Sequence, residues 1–236
     1  GSEMCIRDRD ESGRILIEDY YDDVPGLSES ERRAIDAMPD VSATLMDELA
    51  VHTPEGGGTR IEELITLPAV NARGFVAGGV GDDASNIVLA RATVALDLRL
   101  VPNQTPEGVR ELLERHITSE GFHIVYEEPS VDVLRSHAKV ARLDWRGGYP
   151  ALRTRMDEPA ATRLIELMRT IAPDLILTPT MGGSLPLYRF AERLSAPIVI
   201  LPLANHDNNQ HAENENIRLQ NFWDAIPVFG TILAAY

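Results

Sequence analysis

Residues 92–106 read Ala-Thr-Val-Ala-Leu-Asp-Leu-Arg-Leu-Val-Pro-Asn-Gln-Thr-Pro, and this stretch predicts a strand followed by the start of a helix. Its apolar residues alternate with polar or small ones, which is the period of a strand with one buried face. We expect that strand within residues 86–101. Thr105 and Pro106 then supply an N-cap and a first helical residue, and the helix that follows carries one apolar stripe up to Gly121.

Two further strands flank this strand and helix in the sequence. Residues 69–80 form one strand candidate that ends in two glycines, and residues 123–127 form the other. Strand, strand, helix, strand is most of a ferredoxin-like α+β unit, although its first strand and first helix are not evident. This part of the chain is therefore predicted to be an incomplete ferredoxin-like domain.

The segment before this module is predicted to be mostly helical. Residues 14–17 are a short strand candidate, and Ser28 opens a helix with Glu31 three residues on, as in a capping box. A second helix is expected over residues 42–49, and the glycine-rich residues 53–59 indicate a flexible loop.

From about Leu143 the pattern changes to that of an α/β fold. A helix begins at Pro159, and it is followed by a strand over residues 174–178, a crossover helix over 185–194 and a strand over 198–203. This order predicts a parallel βαβ unit. A last helix runs to the C-terminus, with Pro227 expected to kink it.

Composition excludes several classes of protein. The chain has 236 residues with a net charge of −15, which argues against a surface for nucleic acid or an anionic membrane. Cys5 is the single cysteine, so a disulfide framework and a thiolate metal site are both excluded. Neither a membrane-spanning apolar run nor a signal peptide is evident, so we expect a cytoplasmic protein.

Residues 205–216, Asn-His-Asp-Asn-Asn-Gln-His-Ala-Glu-Asn-Glu-Asn, form the candidate site with the most potential ligands. They directly follow an apolar run, and an open α/β sheet places its site where strands end. His211 in this loop is a candidate zinc ligand, and the alternative is a histidine that hydrogen-bonds locally. His206 carries no comparable indication.

Two other segments are candidates for binding an anion. Glycines in residues 182–186 let backbone amides approach a ligand, whereas the alternative is a tight turn with Ser184 as a helix N-cap. Arg99 on the predicted strand suits bidentate capture of a carboxylate, and the alternative is a solvent-facing charge pair with Asp97.

The sequence does not supply a complete hydrolytic metal site. Such a site needs three or more protein ligands per ion, or several carboxylates that bridge two ions. Neither a His-x-Asp motif nor a His-Glu-x-x-His motif is present, and the Glu-Glu pairs at residues 62–63 and 127–128 lie outside a suitable context.

Four stretches taken together resemble the C-terminal half of the M20 family of metallopeptidases, in particular its dipeptidase-like members related to carnosinases. They are residues 13–23, the Arg-Leu-Val-Pro-x-Gln strand within 92–106, the Met-Gly-Gly-Ser-Leu-Pro loop at 181–186, and the His-x-x-Asn-Glu motif within 205–216. The resemblance extends from about residue 11 to residue 236.

The resemblance implies a catalytic α/β domain that holds two metal ions, usually zinc, and a ferredoxin-like lid that dimerises. It implies that His211 ligates one ion, that Arg99 and Asn86 hold the terminal carboxylate of the substrate, and that Gly183 and Ser184 contact its backbone. The reaction implied is attack of a metal-bridging hydroxide on an amide carbonyl.

The family's His-x-Asp motif, bridging aspartate, Glu-Glu pair and lid histidine all precede the matched region, so no catalytic residue is assigned in this chain. The expectation is a truncated enzyme that is inactive alone. The predicted organisation is a non-native scar at 1–9, a linker and N-terminal remnant at 10–65, a partial lid at 66–140 and the C-terminal part of the catalytic domain at 141–236. The alternatives are a non-catalytic dimerisation or binding module and an N-acyl amino acid amidohydrolase.

Overall fold

The structure is a computed structural model that describes residues 9–235. The predictions made for residues 1–8, including Cys5, and for Tyr236 lie outside this range. Within it, contacts divide the chain into two compact units. Unit 1 comprises residues 9–26, Asp40–Leu152 and Gly182–Ser184, and unit 2 comprises Leu27–Pro39, Arg153–Met181 and residues 185–235.

Helices and strands alternate irregularly along the chain. The helices are α1 Glu29–Ala37, α2 Ser42–Glu48, α3 Ile61–Leu64, α4 Pro106–Ser119, α5 Val131–Ser136, α6 Pro159–Ile171, α7 Tyr188–Leu194 and α8 Leu219–Ala235. The strands are β1 Ala69–Val76, β2 Thr93–Arg99, β3 His123–Val125 and β4 Val140–Arg142. No helix among residues 9–235 combines the length and the apolar composition needed to cross a membrane.

The central pairing of unit 1 joins β1 and β2. The two strands are antiparallel, with Ala69 opposite Arg99 and Val76 opposite Thr93, and the register shifts between Ala72 and Gly74. The alternating stretch is thus confirmed as a strand, although it is shorter than the predicted range of 86–101 because residues before Thr93 form no ladder with β1.

Helix α4 begins and buries its side chains as the sequence predicts. Thr105 is the N-cap, and its hydroxyl oxygen accepts the Gly108 amide at 3.0 Å. The stripe of Val109, Leu113 and Ile117 is fully buried. Gly121 follows with a φ of 85°, a left-handed conformation that glycine adopts without strain.

The core of unit 1 joins this stripe to the N-terminal segment and to β1. It contains Ile15, Ile17, Tyr20, Val70, Val109, Leu113 and Ile117. The buried amide of Gln104 donates to the Tyr20 carbonyl at 2.9 Å. Residues 14–17 do not form the predicted strand, since Ile15 makes an isolated bridge with Arg9 and lacks a continuous partner.

The ferredoxin-like arrangement is not confirmed. The order of strand, strand, helix and strand is present, but β1 and β2 form one sheet while β3 pairs with β4 in a second, parallel sheet. The strand predicted at residues 123–127 is present as β3, whereas β4 was not predicted, because a strand of three residues is too short for periodicity to register.

Unit 2 is mainly helical, and its α1 is capped as predicted. The Ser28 hydroxyl oxygen accepts the Glu31 amide at 3.3 Å, and the Glu31 carboxylate accepts the Ser28 amide at 2.7 Å. The Glu31 side chain is buried and lies 3.7 Å from Nε of Arg153, which is also buried. Helices α6 and α8 pack together in the same unit.

The predicted parallel βαβ unit is corrected by the structure. Helix α7 is present, but residues 174–178 and 198–203 are not strands. Ladder hydrogen bonds define a strand, whereas the Ile198 amide and carbonyl both bond to the Thr154 hydroxyl instead, at 3.0 and 2.6 Å. These two apolar runs are therefore not strands, although their composition is that of a buried strand.

The buried Tyr20 generates a prediction about alkaline stability. Burial raises the pKa of Tyr20, and its hydroxyl lies in the core without a hydrogen-bond partner among the described residues. Above about pH 10 the unfolded chain loses this proton and the folded chain keeps it, so the free energy of unfolding falls as pH rises. Tyr20→Phe removes the part of this decrease that is due to Tyr20. It also raises the free energy of unfolding at neutral pH by about 1–2 kcal/mol, because no unpaired hydroxyl remains buried.

Urea unfolding from pH 7 to pH 11 measures this effect. Tyr126→Phe is the matched control, because Tyr126 is exposed and its hydroxyl donates to Glu114. An identical pH dependence of Tyr20→Phe and the unmodified chain contradicts the prediction.

Candidate functional site

The loop of residues 205–216, in unit 2, is closed at its base by Asn205. The Asn205 amide oxygen accepts the backbone amide of Arg218 at 2.9 Å. Its amide nitrogen donates to Asp207 at 2.6 Å and, more weakly, to Asn216 at 3.4 Å. Asn205 is 7% exposed, in contrast to the rest of the loop, and we call these bonds the Asn205 clasp.

Further bonds hold the chain on either side of the clasp. The Asn221 amide at the start of α8 donates to the Leu203 carbonyl at 2.9 Å, just before the loop. The Asn216 amide donates to the Asn208 carbonyl at 2.9 Å across the loop. The two ends of the loop are therefore fixed to each other, and its central residues project from a rigid base.

The backbone of the loop adopts conformations that are rare outside glycine. Asn209, His211 and Asn214 have φ values of 53°, 65° and 61°. Left-handed backbone costs free energy at residues with a side chain, and such residues are enriched at functional sites. The clasp is what keeps them in this conformation, because it fixes the chain on both sides.

His211 is exposed at the centre of the loop, and its ring has no hydrogen bond within the described residues. Its role as a metal ligand stays a prediction. The Asp207 carboxylate already accepts from Arg218 at 2.7 Å and from Asn205 at 2.6 Å, and the hydrogen bond from Asn205 lowers its pKa, so its negative charge is partnered within the loop and by Arg218. Within residues 9–235, no three histidine, cysteine or acidic side chains come together as a metal site would require. The described residues therefore do not complete a metal site.

The second cluster of predicted residues lies in unit 1. Nε of Arg99 donates to Asp97 at 2.6 Å, and Nη1 of the same guanidinium donates to the Ser184 hydroxyl. Arg99 and Ser184 are 85 residues apart in sequence. Both are exposed, so their remaining donors face solvent. The structure thus brings together two residues for which a role with the same substrate was predicted.

The alternative for Ser184, a helix N-cap, is wrong. Helix α7 begins at Tyr188 with Leu187 as its N-cap, and no side chain caps it. Gly183 is exposed beside Ser184, and Gly182 lies close to Ile65, whose Cγ2 would be 3.5 Å from an added Cβ. The glycine loop therefore presents Ser184 to Arg99 rather than to a helix.

Asn86 is a predicted substrate contact that is not bonded to the Arg99–Ser184 pair within the described residues. It is exposed in the loop between the short 3₁₀ turn Gly81–Asp83 and β2. Within the described residues it forms no hydrogen bond with Arg99 or Ser184. Its role with substrate stays a prediction.

Sequence reasoning missed Asn205. It is one of several amides in the loop, and nothing in the sequence separates it from its neighbours. Its distinguishing property is burial, which depends on the contacts of the folded chain. Proximity to the end of an apolar run was the one available signal.

Comparisons with known proteins agree with this architecture. Residues 32–124 match the family model for the M20 peptidase dimerisation domain. The Cys-Gly metallodipeptidase dug1 of Schizosaccharomyces pombe is 24% identical over 227 residues, covering 93% of this chain and 44% of that protein. Human β-Ala-His dipeptidase is 23% identical over 228 residues, covering 93% of this chain and 42% of that protein. The chain thus spans less than half the length of these relatives.

Solved structures also match this chain over about half of their own length. The M20 family metallo-carboxypeptidase Sso-CP2 from Sulfolobus solfataricus matches with a TM-score of 0.74 and 27% identity, over 98% of this chain and 50% of that one. Human carnosine dipeptidase 1 shares the fold, with a TM-score of 0.65 and 19% identity over 97% of this chain and 46% of that one. Residues 32–124 thus resemble an M20 peptidase dimerisation domain, and the resemblance of the chain to the M20 metallopeptidases is confirmed. The relatives it matches include Cys-Gly metallodipeptidases, a probable di- and tripeptidase and β-Ala-His dipeptidases.

Removal of the clasp is expected to loosen the loop. Asn205→Ala deletes one acceptor and two donors from a buried position, at a cost of about 1–3 kcal/mol. We expect faster hydrogen–deuterium exchange at the amides of Arg218 and Asn216, and the pKa of Asp207 should rise towards its ordinary value.

The matched control is Glu213→Ala, because Glu213 is exposed in the same loop and takes no part in the clasp. Exchange at Arg218 that is the same in Asn205→Ala as in the control argues that the clasp does not hold the loop.

Proposed function

We propose that this chain contributes the carboxylate-binding residues and one metal ligand of a metal-dependent peptidase that acts on dipeptides or similar amides. The observation that carries the proposal is the contact between Arg99 and Ser184, in a chain that aligns with dipeptidases over more than nine-tenths of its length. A dipeptide presents a free carboxylate one residue from its scissile bond, so a receptor for that group selects short substrates.

Arg99 and Ser184 are suited to this group. A guanidinium has five N–H donors in a planar fork, and two of them match the two oxygens of a carboxylate. The Ser184 hydroxyl oxygen accepts from Arg99, so its own proton is available for the same ligand. Asn86 and Gly183 are proposed to complete the substrate contacts.

The metal part of the proposal rests on the relatives, whose names describe metallodipeptidases. His211 is the proposed ligand, and zinc, a pair of ions and a metal-bridging hydroxide as nucleophile all belong to the proposal. Because the residues described here do not complete a metal site, we propose that the 236-residue chain by itself does not hydrolyse peptides.

Association is the second part of the proposal. The dimerisation-domain match over residues 32–124 supports a homodimer, with the lid predicted at residues 66–140 as its interface. The same match favours the alternative of a non-catalytic dimerisation or binding module, which would keep the lid without the chemistry. A cytoplasmic location stays a prediction.

Carboxylate recognition is tested by calorimetric titration with Cys-Gly and β-Ala-His and with their C-terminal amides. We expect the free dipeptides to bind at least about tenfold more tightly than the amides, because a charge-assisted bidentate pair is lost in the amide. Arg99→Gln should abolish the difference.

The matched control is Arg73→Gln, since Arg73 is exposed on the neighbouring strand β1 and the change in charge is the same. Equal affinity for acids and amides in the unmodified chain contradicts carboxylate recognition. Tighter binding of an N-acetyl amino acid than of either dipeptide favours the N-acyl amino acid amidohydrolase.

The state of the metal site is tested with the purified chain and zinc. We expect weak binding and no hydrolysis of Cys-Gly, because one candidate ligand stands where a zinc ion requires three or four. His211→Ala should remove most of the weak binding, whereas His206→Ala in the same loop should not. Stoichiometric tight zinc together with turnover overturns the prediction.

A further inference from the structure

We propose that Asp97 is a positioning residue, which holds the Arg99 guanidinium in the orientation that lets it and Ser184 receive one carboxylate. The inference rests on the proposed function. It assigns a role to a residue that was otherwise one half of a surface charge pair.

The geometry of β2 places the two side chains together. Asp97 and Arg99 are two residues apart, so they lie on the same face of the strand, opposite the face of Leu96 and Leu98 that packs on the core. Asp97 is 28% exposed at its side chain, compared with 43% for Arg99. The carboxylate is thus the more fixed partner of the pair.

The distribution of hydrogen bonds defines the free edge of the guanidinium. Asp97 occupies Nε at 2.6 Å, and Ser184 occupies one of the two protons on Nη1. Because the guanidinium is planar, these two bonds on different nitrogens fix both its position and its plane. One proton on Nη1 and both protons on Nη2 remain to donate to a carboxylate.

A positioning role for Asp97 and a purely electrostatic role predict different effects of removing its charge on ligand affinity. A carboxylate next to Arg99 repels a carboxylate ligand, so an electrostatic argument predicts that removing Asp97 tightens binding. A positioning argument predicts the reverse, since the freed guanidinium loses its preferred orientation and a ligand must then order it. The two arguments give opposite signs for the same substitution.

Three variants distinguish these arguments by titration of Cys-Gly and its C-terminal amide. Asp97→Ala removes the acceptor and the charge, and Asp97→Val does the same with a side chain that favours strands. Asp97→Asn removes the charge and keeps an oxygen that accepts from Nε. We expect the affinity for the free dipeptide to fall about tenfold in Asp97→Ala and Asp97→Val, while Asp97→Asn stays within about threefold of the unmodified chain or binds more tightly.

A second measurement reports on Arg99 without a ligand. The Arg99 Nε–H proton should give a slowly exchanging NMR signal in the unmodified chain and in Asp97→Asn, and this signal should be lost in Asp97→Ala and Asp97→Val. Thr93→Ala is the control for a general effect on the strand, because Thr93 is exposed on the same face of β2.

Each outcome bears on the proposal. Unchanged or tighter binding by Asp97→Ala and Asp97→Val overturns it, and so does a loss in Asp97→Asn as large as in Asp97→Ala. If the unmodified chain does not distinguish Cys-Gly from its amide, the proposed function fails, whereas the Nε–H signal still decides whether Asp97 orients Arg99.

Discussion

The pairing of β2 with β1 is the constraint on which the rest of unit 1 depends. One face of β2 carries Leu96 and Leu98, which pack on the core with α4, and the other face carries Asp97 and Arg99. A shift of the register by one residue would exchange these faces, burying the charges and exposing the leucines. Burial of the apolar face therefore fixes the side on which the guanidinium stands.

In both candidate sites, hydrogen bonds hold the functional groups in place before a ligand binds, although the bonds differ between the two. In unit 1 a carboxylate and a hydroxyl hold Arg99 from two sides. In unit 2 a buried amide closes a polar loop at its base and keeps His211 in left-handed backbone. Groups that are held before a ligand arrives cost less entropy on binding, which is what recognition of a small ligand requires.

The capped starts of α1 and α4 were predictable from the sequence, whereas the pairing of strands was not. The capping box of Ser28 and Glu31, the Thr105 cap and the stripe of α4 all depend on residues within a few positions of one another. The apolar runs at residues 174–178 and 198–203 satisfied the same kind of pattern, and neither is a strand. Pairing depends on a neighbour that a pattern within one segment does not contain. The short β4 shows the converse, because it pairs with β3 although its own sequence has no pattern long enough to predict a strand.

The amino-acid sequence was sufficient to identify Arg99, Ser184 and His211 as candidates, to place the caps of α1 and α4, and to show the resemblance to M20 metallopeptidases. Those conclusions, like the pairing of Arg99 with Asp97, rest on residue types and short spacings, which are written directly in the chain. Only the folded chain shows that Arg99 meets Ser184 from 85 residues away and that Asn205 is the buried amide that closes its loop. Such contacts form when the chain closes long loops around a core, and no local pattern encodes which distant partners then meet.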